Sequence, residues 1–66
     1  MILSTDDGKF IRADLALFFY CYSNPSYDEW SIMFCFNNRE VSYGKFNSFD
    51  EAMIEANDIG KALNNI

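Results

Sequence analysis

The chain has 66 residues, 50% of them hydrophobic and 18% aromatic, and this composition argues against disorder. Ten acidic and five basic residues give a net charge of −5, which argues against phosphate contacts and therefore against direct nucleic-acid or anionic-membrane binding. No histidine is present, so the commonest general base and metal ligand is missing. We expect one domain over residues 1–66 that is not an enzyme and holds no metal or other cofactor.

The first half of the chain predicts a hairpin and a strand segment without a polar side. Asp7-Gly8 is a favoured two-residue hairpin turn, because glycine accepts a positive φ and aspartate tolerates it. It would join a short strand at residues 2–4 to a second strand that begins near Phe10. Before the next turn comes the stretch 15–22, LALFFYCY, which reads as strand, and its alternating side chains are apolar on both faces.

Two further strands follow, separated by clear turn signals. A proline-containing polar loop at 24–28 ends the LALFFYCY strand. Residues 30–36 predict a third strand, 37–39 a tight turn, and 41–46 a fourth strand in which Gly44 indicates a bulge. Sequential strands joined by short turns favour an antiparallel meander.

The last segment changes to helical spacing. Ser48 and Glu51 fit a capping box, in which each side chain serves an unpaired backbone N–H at the start of a helix. The apolar positions that follow lie on one face of an amphipathic helix: Phe49, Ala52, Met53, Ala56, Ile59 and Leu63. Asn64-Asn65 is the predicted end. The fold class is therefore α+β, with an antiparallel sheet of three to four strands and one C-terminal helix packed on one sheet face.

The length of the 24–28 loop decides which strand residues share a face. A four-residue loop pairs Asn24 with Glu29, and a five-residue loop swaps the groupings, because a one-residue slip turns every side chain over. The four-residue alternative puts one apolar set on a common face: Leu15, Leu17, Phe19, Cys21, Trp30, Ile32, Phe34 and Phe36. The opposite face then carries a second set: Phe18, Tyr20, Tyr22, Met33 and Cys35.

One helix can cover only one of two apolar faces. We expect the other face to be buried against a second protein chain, since large apolar patches on soluble proteins usually mark interfaces. A homodimer closed by sheet-on-sheet packing is the simplest version, and coverage by the loops or chain ends is the alternative. The candidate interface residues are Phe18, Tyr20, Tyr22, Met33, Tyr27 and Trp30.

An acidic set lies on the predicted helix. Glu51, Glu55 and Asp58 are spaced at i, i+4 and i+7, which places them on one outer face. A solvated helix face is the usual meaning of such a set. The alternative is a negative stripe that competes for a basic, nucleic-acid-binding groove on a partner protein.

The two cysteines and the N-terminal residues indicate the compartment. Cys21 and Cys35 lie in apolar strand patterns and are expected to be buried thiols, with a disulfide as the alternative. The start, MILSTDDGK, has no basic stretch typical of a signal peptide, and the longest apolar run is far shorter than the roughly 20 residues of a membrane helix. We expect a cytoplasmic protein, located in the host cytoplasm if a phage encodes it.

The C-terminal half, WSIMFCFNNREVSYGKFNSFDEAMIEANDIGKAL, resembles small prokaryotic strand–turn–strand–helix modules, including those of HicB-type antitoxins. The shared features are a strand that begins with Trp30, a Tyr-Gly-containing strand, and a Ser-capped helix start between Phe46 and Ala52. The resemblance implies oligomerisation and a protein partner. The sequence departs from that family in having no matching DNA-binding segment and no toxin-binding motif.

In size, acidity and aromatic content the chain is also similar to phage-encoded inhibitors, including anti-CRISPR and anti-restriction proteins. This resemblance implies binding to a host nuclease complex. The sequence therefore favours a non-enzymatic protein-binding module, most concretely a phage or mobile-element inhibitor of a host nucleic-acid-handling defence complex. The alternative is a dimeric antitoxin-like or structural module whose aromatic sheet face serves self-assembly.

Overall fold

The computed structural model describes residues 1–64, which form two small sheets and one helix. The elements in chain order are β1 (Ile2–Ser4), β2 (Phe10–Arg12), a turn of 3-10 helix (Ala13–Leu15), β3 (Phe18–Asn24), β4 (Glu29–Cys35), β5 (Glu40–Phe46) and α1 (Phe49–Asn64). β3, β4 and β5 make an antiparallel meander, and β1 and β2 pair separately. This confirms the predicted α+β fold with a C-terminal helix packed on the sheet.

The β1–β2 hairpin does not turn at Asp7-Gly8 as predicted. The Thr5 N–H donates to the Lys9 carbonyl (2.8 Å) and the Gly8 N–H donates to the Thr5 carbonyl (3.1 Å), so Asp6 and Asp7 occupy the centre of the turn. Gly8 follows the turn with a φ of 84°, while Asp7 keeps a negative φ. The connection is thus a three-residue loop that ends in a left-handed glycine. The prediction of a two-residue turn is wrong, because the loop has three residues and its central positions are Asp6 and Asp7.

The strand predicted from residue 15 begins only at Phe18. A 3-10 turn at Ala13–Leu15 separates β2 from β3, and the Ala13 N–H donates to the Met1 carbonyl at 3.2 Å. Ala13 is thereby drawn into the core, whereas Leu15 and Leu17 are 60% and 64% exposed. The two leucines therefore do not extend the helix-facing row of β3. The first hairpin, β1 and β2, is not part of the three-stranded sheet, which we call the main sheet.

The register of β3 and β4 confirms the four-residue loop. Asn24 pairs with Glu29, which fixes the alternation along both strands. The loop is held by the Ser26 N–H, which donates to the Asn24 side-chain oxygen at 3.0 Å, and by Asp28, whose φ is 52°. Two sets of side chains therefore face opposite ways. Phe19, Cys21, Trp30, Ile32 and Phe34 lie on the helix side, and Phe18, Tyr20, Tyr22, Met33 and Cys35 lie on the other side.

Gly44 forms the bulge that the sequence predicts in β5. Trp30 pairs with Phe46 and Ile32 pairs with Tyr43, so a single β4 residue, Ser31, lies opposite two residues of β5. Gly44 has a φ of 77°, a conformation that favours glycine, and its carbonyl accepts from the Ser31 hydroxyl at 3.0 Å.

The start of α1 is capped as predicted, with one difference. The Glu51 N–H donates to the Ser48 hydroxyl oxygen at 3.2 Å. The Glu51 carboxylate in return accepts from the Asn47 N–H at 3.1 Å, one residue before the N-cap position. The helix reaches Asn64, and the predicted end at Asn65 lies outside the described residues.

The core lies between α1 and the sheet. Ile32 and Phe34, at the centre of β4, are fully buried. Ala56 and Ile59 of α1 pack onto them. Small residues at positions 52 and 56 let the helix approach the strands closely, and the hairpin adds Ile11 to the same cluster. One side of the sheet is thereby filled.

Candidate protein-binding surface

The side of the sheet that α1 leaves open carries a row of aromatic rings. Phe18, Tyr20 and Tyr22 alternate along β3 and are 57%, 39% and 40% exposed, so the described chain covers each of them only in part. The Phe18 and Tyr20 rings stack with centroids 6.2 Å apart. Met33 lies opposite Tyr20 on β4 and is partly buried. We call Phe18, Tyr20, Tyr22 and Met33 the aromatic face.

Acidic residues lie at both ends of the aromatic face. Glu40 begins β5 at one end, opposite Cys35. Burial, and next the negative charge of Glu40, raise the pKa of Tyr20, which keeps its hydroxyl protonated and able to donate at neutral pH. At the other end Glu29 begins β4. The centre of this side is therefore uncharged, and a carboxylate lies at each end.

The Glu29 end of the face borders a groove of 530 Å³ beneath the β1–β2 turn. The charged residues around this groove are Asp6, Asp7, Glu29 and Lys45. The Thr5 hydroxyl hydrogen-bonds the Asp7 carboxylate and lowers its pKa, so Asp7 stays ionised there. Nothing in the sequence indicates this grouping, because it depends on where the β1–β2 turn lies relative to the three-stranded sheet.

Tyr27 and Trp30 take different places from the other predicted interface residues. Tyr27 lies in the loop after β3, is 71% exposed and lines the groove at the acidic end. Trp30 lies on the helix side of β4, where its ring meets the Phe49 ring edge-on at a centroid distance of 5.2 Å. Strand alternation puts Trp30 on the same side as Ile32, so it belongs to the helix packing and not to the aromatic face.

The three predicted acidic-face residues do not form one free row. Glu51 caps the helix start, and Glu55 is partly buried and accepts from the Tyr43 hydroxyl at 3.1 Å. Burial, followed by the charge of Glu55, raises the pKa of Tyr43. Asp58 is exposed. Because two of the three carboxylates bind within the chain, the helix offers less free negative charge than the spacing predicts.

Both cysteines are free thiols. Cys21 lies on the helix side with its Sγ atom 3.5 Å from Met53 Sδ, and Cys35 is buried on the opposite side. Burial raises the pKa of each thiol, so both stay protonated at neutral pH and are weak nucleophiles. Their places on opposite faces confirm the prediction of thiols over a disulfide, although Cys21 is only partly buried.

Among residues 1–64, no group of three or more acidic, cysteine or histidine side chains is placed to hold a metal ion. Across the same described stretch, α1 is too short and too polar to cross a membrane, and no other helix could. Comparison with protein-family models, with curated proteins and with solved structures found no match in any of the three.

Proposed function

We propose that this chain is a protein-binding module without catalytic activity, and that the aromatic face is its docking surface. The observation that carries the proposal is the exposed row Phe18, Tyr20 and Tyr22 on one strand of a small domain. Full burial of such a side chain gains roughly 1.5–3 kcal/mol. The three rings are about half exposed, so burying their exposed area against a partner would gain roughly 2–4 kcal/mol. Tyrosine is also among the residues that dominate binding energy at interfaces.

The partner that fits this surface is apolar at its centre and basic at its rim. The net charge of −5 and the acids at both ends of the aromatic face favour such a rim. The most concrete partner of this kind is a host defence complex with a basic nucleic-acid-binding surface. The chain would cover that surface as a phage or mobile-element inhibitor. Aromatic anchors would supply affinity, and the acidic charge would speed encounter.

A capture experiment with matched variants tests the docking surface. The wild-type chain, Tyr20→Ser/Tyr22→Ser and Phe10→Ser are each used to capture proteins from the native host, with mass spectrometry as the readout. Phe10 is 73% exposed on the first hairpin and is not part of the aromatic face, so it controls for loss of any exposed ring. We expect one nuclease complex with the wild type and with Phe10→Ser, and its loss with the double variant. Equal recovery with all three chains would exclude the aromatic face.

A second experiment tests the inhibitor form. The captured complex is assayed for nucleic-acid binding while the chain is titrated in, and we expect competition that weakens as salt is raised, since salt screens opposite charges. If the complex still binds nucleic acid when it is saturated with the chain, the chain is a protein-binding module but not an inhibitor of this kind.

The second candidate is a module whose aromatic face serves self-assembly, and the same exposed row favours it. Two copies of an acidic chain repel one another, so their association strengthens as salt is raised, opposite to binding of a basic partner. The sign of the salt dependence therefore separates the two candidates.

A further inference from the structure

β3 is an edge strand whose outer side is unpaired. Among residues 1–64 it pairs with β4 alone. The direction of its backbone groups follows from the neighbouring hairpin, where the Phe36 N–H donates to the Arg39 carbonyl at 2.8 Å. Hydrogen-bonded and non-bonded positions alternate along antiparallel strands. Phe36, Phe34 and Ile32 therefore direct their backbone groups toward β5, and the residues between them direct theirs toward β3.

The backbone groups that remain on the outer edge can be identified from the register. Cys35, Met33 and Ser31 of β4 face β3, where they pair with Phe18, Tyr20 and Tyr22. The intervening residues of β3 point their N–H and C=O groups away from the sheet. They are Phe19, Cys21 and Ser23, and together they present three donors and three acceptors in one line.

The two edges of the main sheet differ in their protection. β3, Phe18–Asn24, contains no charged residue, proline, glycine or bulge. β5 carries Glu40 and Lys45 and is bent by the bulge at Gly44. Charges and bulges are the usual means by which proteins prevent pairing at a sheet edge. The β3 edge has none of them.

We propose that the β3 edge pairs antiparallel with β3 of a second copy of this chain, giving a two-fold symmetric sheet of six strands. A second copy fits because β3 carries no charged residue, so two copies of this acidic chain can bring the two strands together without placing like charges opposite each other. The register with the longest overlap centres on Cys21. It pairs Cys21 with Cys21 of the second copy, and Phe19 with Ser23 in both directions, so three pairs form six N–H···O bonds.

The side chains support the same register. On the aromatic side it places Tyr20 of each copy across from Tyr22 of the other, in a non-hydrogen-bonded position where cross-strand side chains are closest. On the helix side a groove of 460 Å³ runs along β3, with Met53 and Ala56 of α1 on its far wall. Gly60 lines this groove beside the Phe19 ring. The added strand would direct its own helix-side residues into the groove.

The edge dimer goes beyond the proposed function, because it uses the backbone of β3 and leaves the aromatic face free. The two aromatic rows become one continuous surface across the two-fold axis. A dimer formed by stacking aromatic faces would instead bury that surface and leave the edge amides open. Amide hydrogen exchange distinguishes the two arrangements directly.

The test combines sedimentation with hydrogen exchange measured by NMR at low and high protein concentration. We expect a concentration-dependent dimer in which the amides of Phe19, Cys21 and Ser23 become protected. The amides of Tyr20 and Tyr22, which pair inside the monomer, should be protected at both concentrations. A monomer at the highest concentration, or a dimer whose three edge amides exchange freely, overturns the proposal. Neither result affects capture of a different protein by the aromatic face.

Variants complete the test. Cys21→Pro removes an N–H that the monomer does not use, and proline is tolerated on edge strands in this orientation, so we expect a folded chain whose dimer is weaker by roughly tenfold or more. Ser23→Lys adds charge at the pairing edge and should weaken the dimer similarly. Ser42→Lys makes the same change on the aromatic side of β5 and should leave the dimer intact. Loss of the dimer in Ser42→Lys alone would overturn edge pairing in favour of stacked faces.

Discussion

The clearest test of the face assignment compares two phenylalanines that differ in burial. Phe34 is fully buried on β4, with its ring 5.2 Å from Phe19 and 6.1 Å from Tyr43, centroid to centroid. Phe18 is 57% exposed on the opposite side of the sheet. Replacing a core phenylalanine with alanine costs roughly 3–5 kcal/mol. At roughly 0.05–0.15 kcal/mol per residue, this chain has only about 3–10 kcal/mol of stability in total.

Phe34→Ala should therefore remove most of the stability, while Phe18→Ala should cost about 1 kcal/mol, in proportion to the buried part of its side chain. Phe34→Leu keeps part of the ring volume and provides a measurable intermediate if Phe34→Ala does not fold. Trp30 is the single tryptophan and reports unfolding by fluorescence in urea. With a urea slope of about 1 kcal/mol/M, the midpoint for Phe18→Ala falls by about 1 M. Equal losses for Phe18→Ala and Phe34→Ala at micromolar concentration would refute the assignment of the two faces.

Two further predictions concern β5. Gly44→Ala should destabilise the fold more than Gly8→Ala. Both glycines have a positive φ, but only at Gly44 would the new Cβ meet another side chain, the Phe46 ring at 2.6 Å. Equal shifts of the melting temperature, followed by circular dichroism, would contradict this. The raised pKa of Tyr43 means that its contribution to stability is complete below the ordinary tyrosine pKa of about 10 and is lost as the pH rises through the raised pKa. Glu55→Gln should lower that pKa, and an unchanged phenolate titration would show that burial alone raises it.

The parts of the fold that could be predicted from sequence are those set by neighbouring residues. Ser48 with Glu51 marked the helix start, and Gly44 marked the bulge, because capping and a positive φ are local requirements. The strand alternation also identified both possible sets of face residues. The choice between them depended on one residue of loop length at 24–28, which the turn residues alone did not determine.

The parts that could not be predicted depend on contacts between distant segments. The 3-10 turn at Ala13–Leu15 forms where the Ala13 N–H reaches Met1, and nothing local marks that bond. The prediction for Glu55 used helix spacing alone, and it missed Tyr43 because that ring comes from a strand packed beneath the helix. The aromatic row could be predicted from the sequence. The groove beneath the β1–β2 turn could not, because its lining depends on where the first hairpin packs.

The bulge at Gly44 also bears on how far the three-stranded sheet could extend by strand pairing. A sheet with two open edges could add copies indefinitely and grow into a filament. Here the extra residue twists β5 and interrupts its hydrogen-bonding ladder with β4, so β3 is the regular edge of the three-stranded sheet. If the proposed pairing of β3 occurs, this sheet would therefore stop growing at two copies.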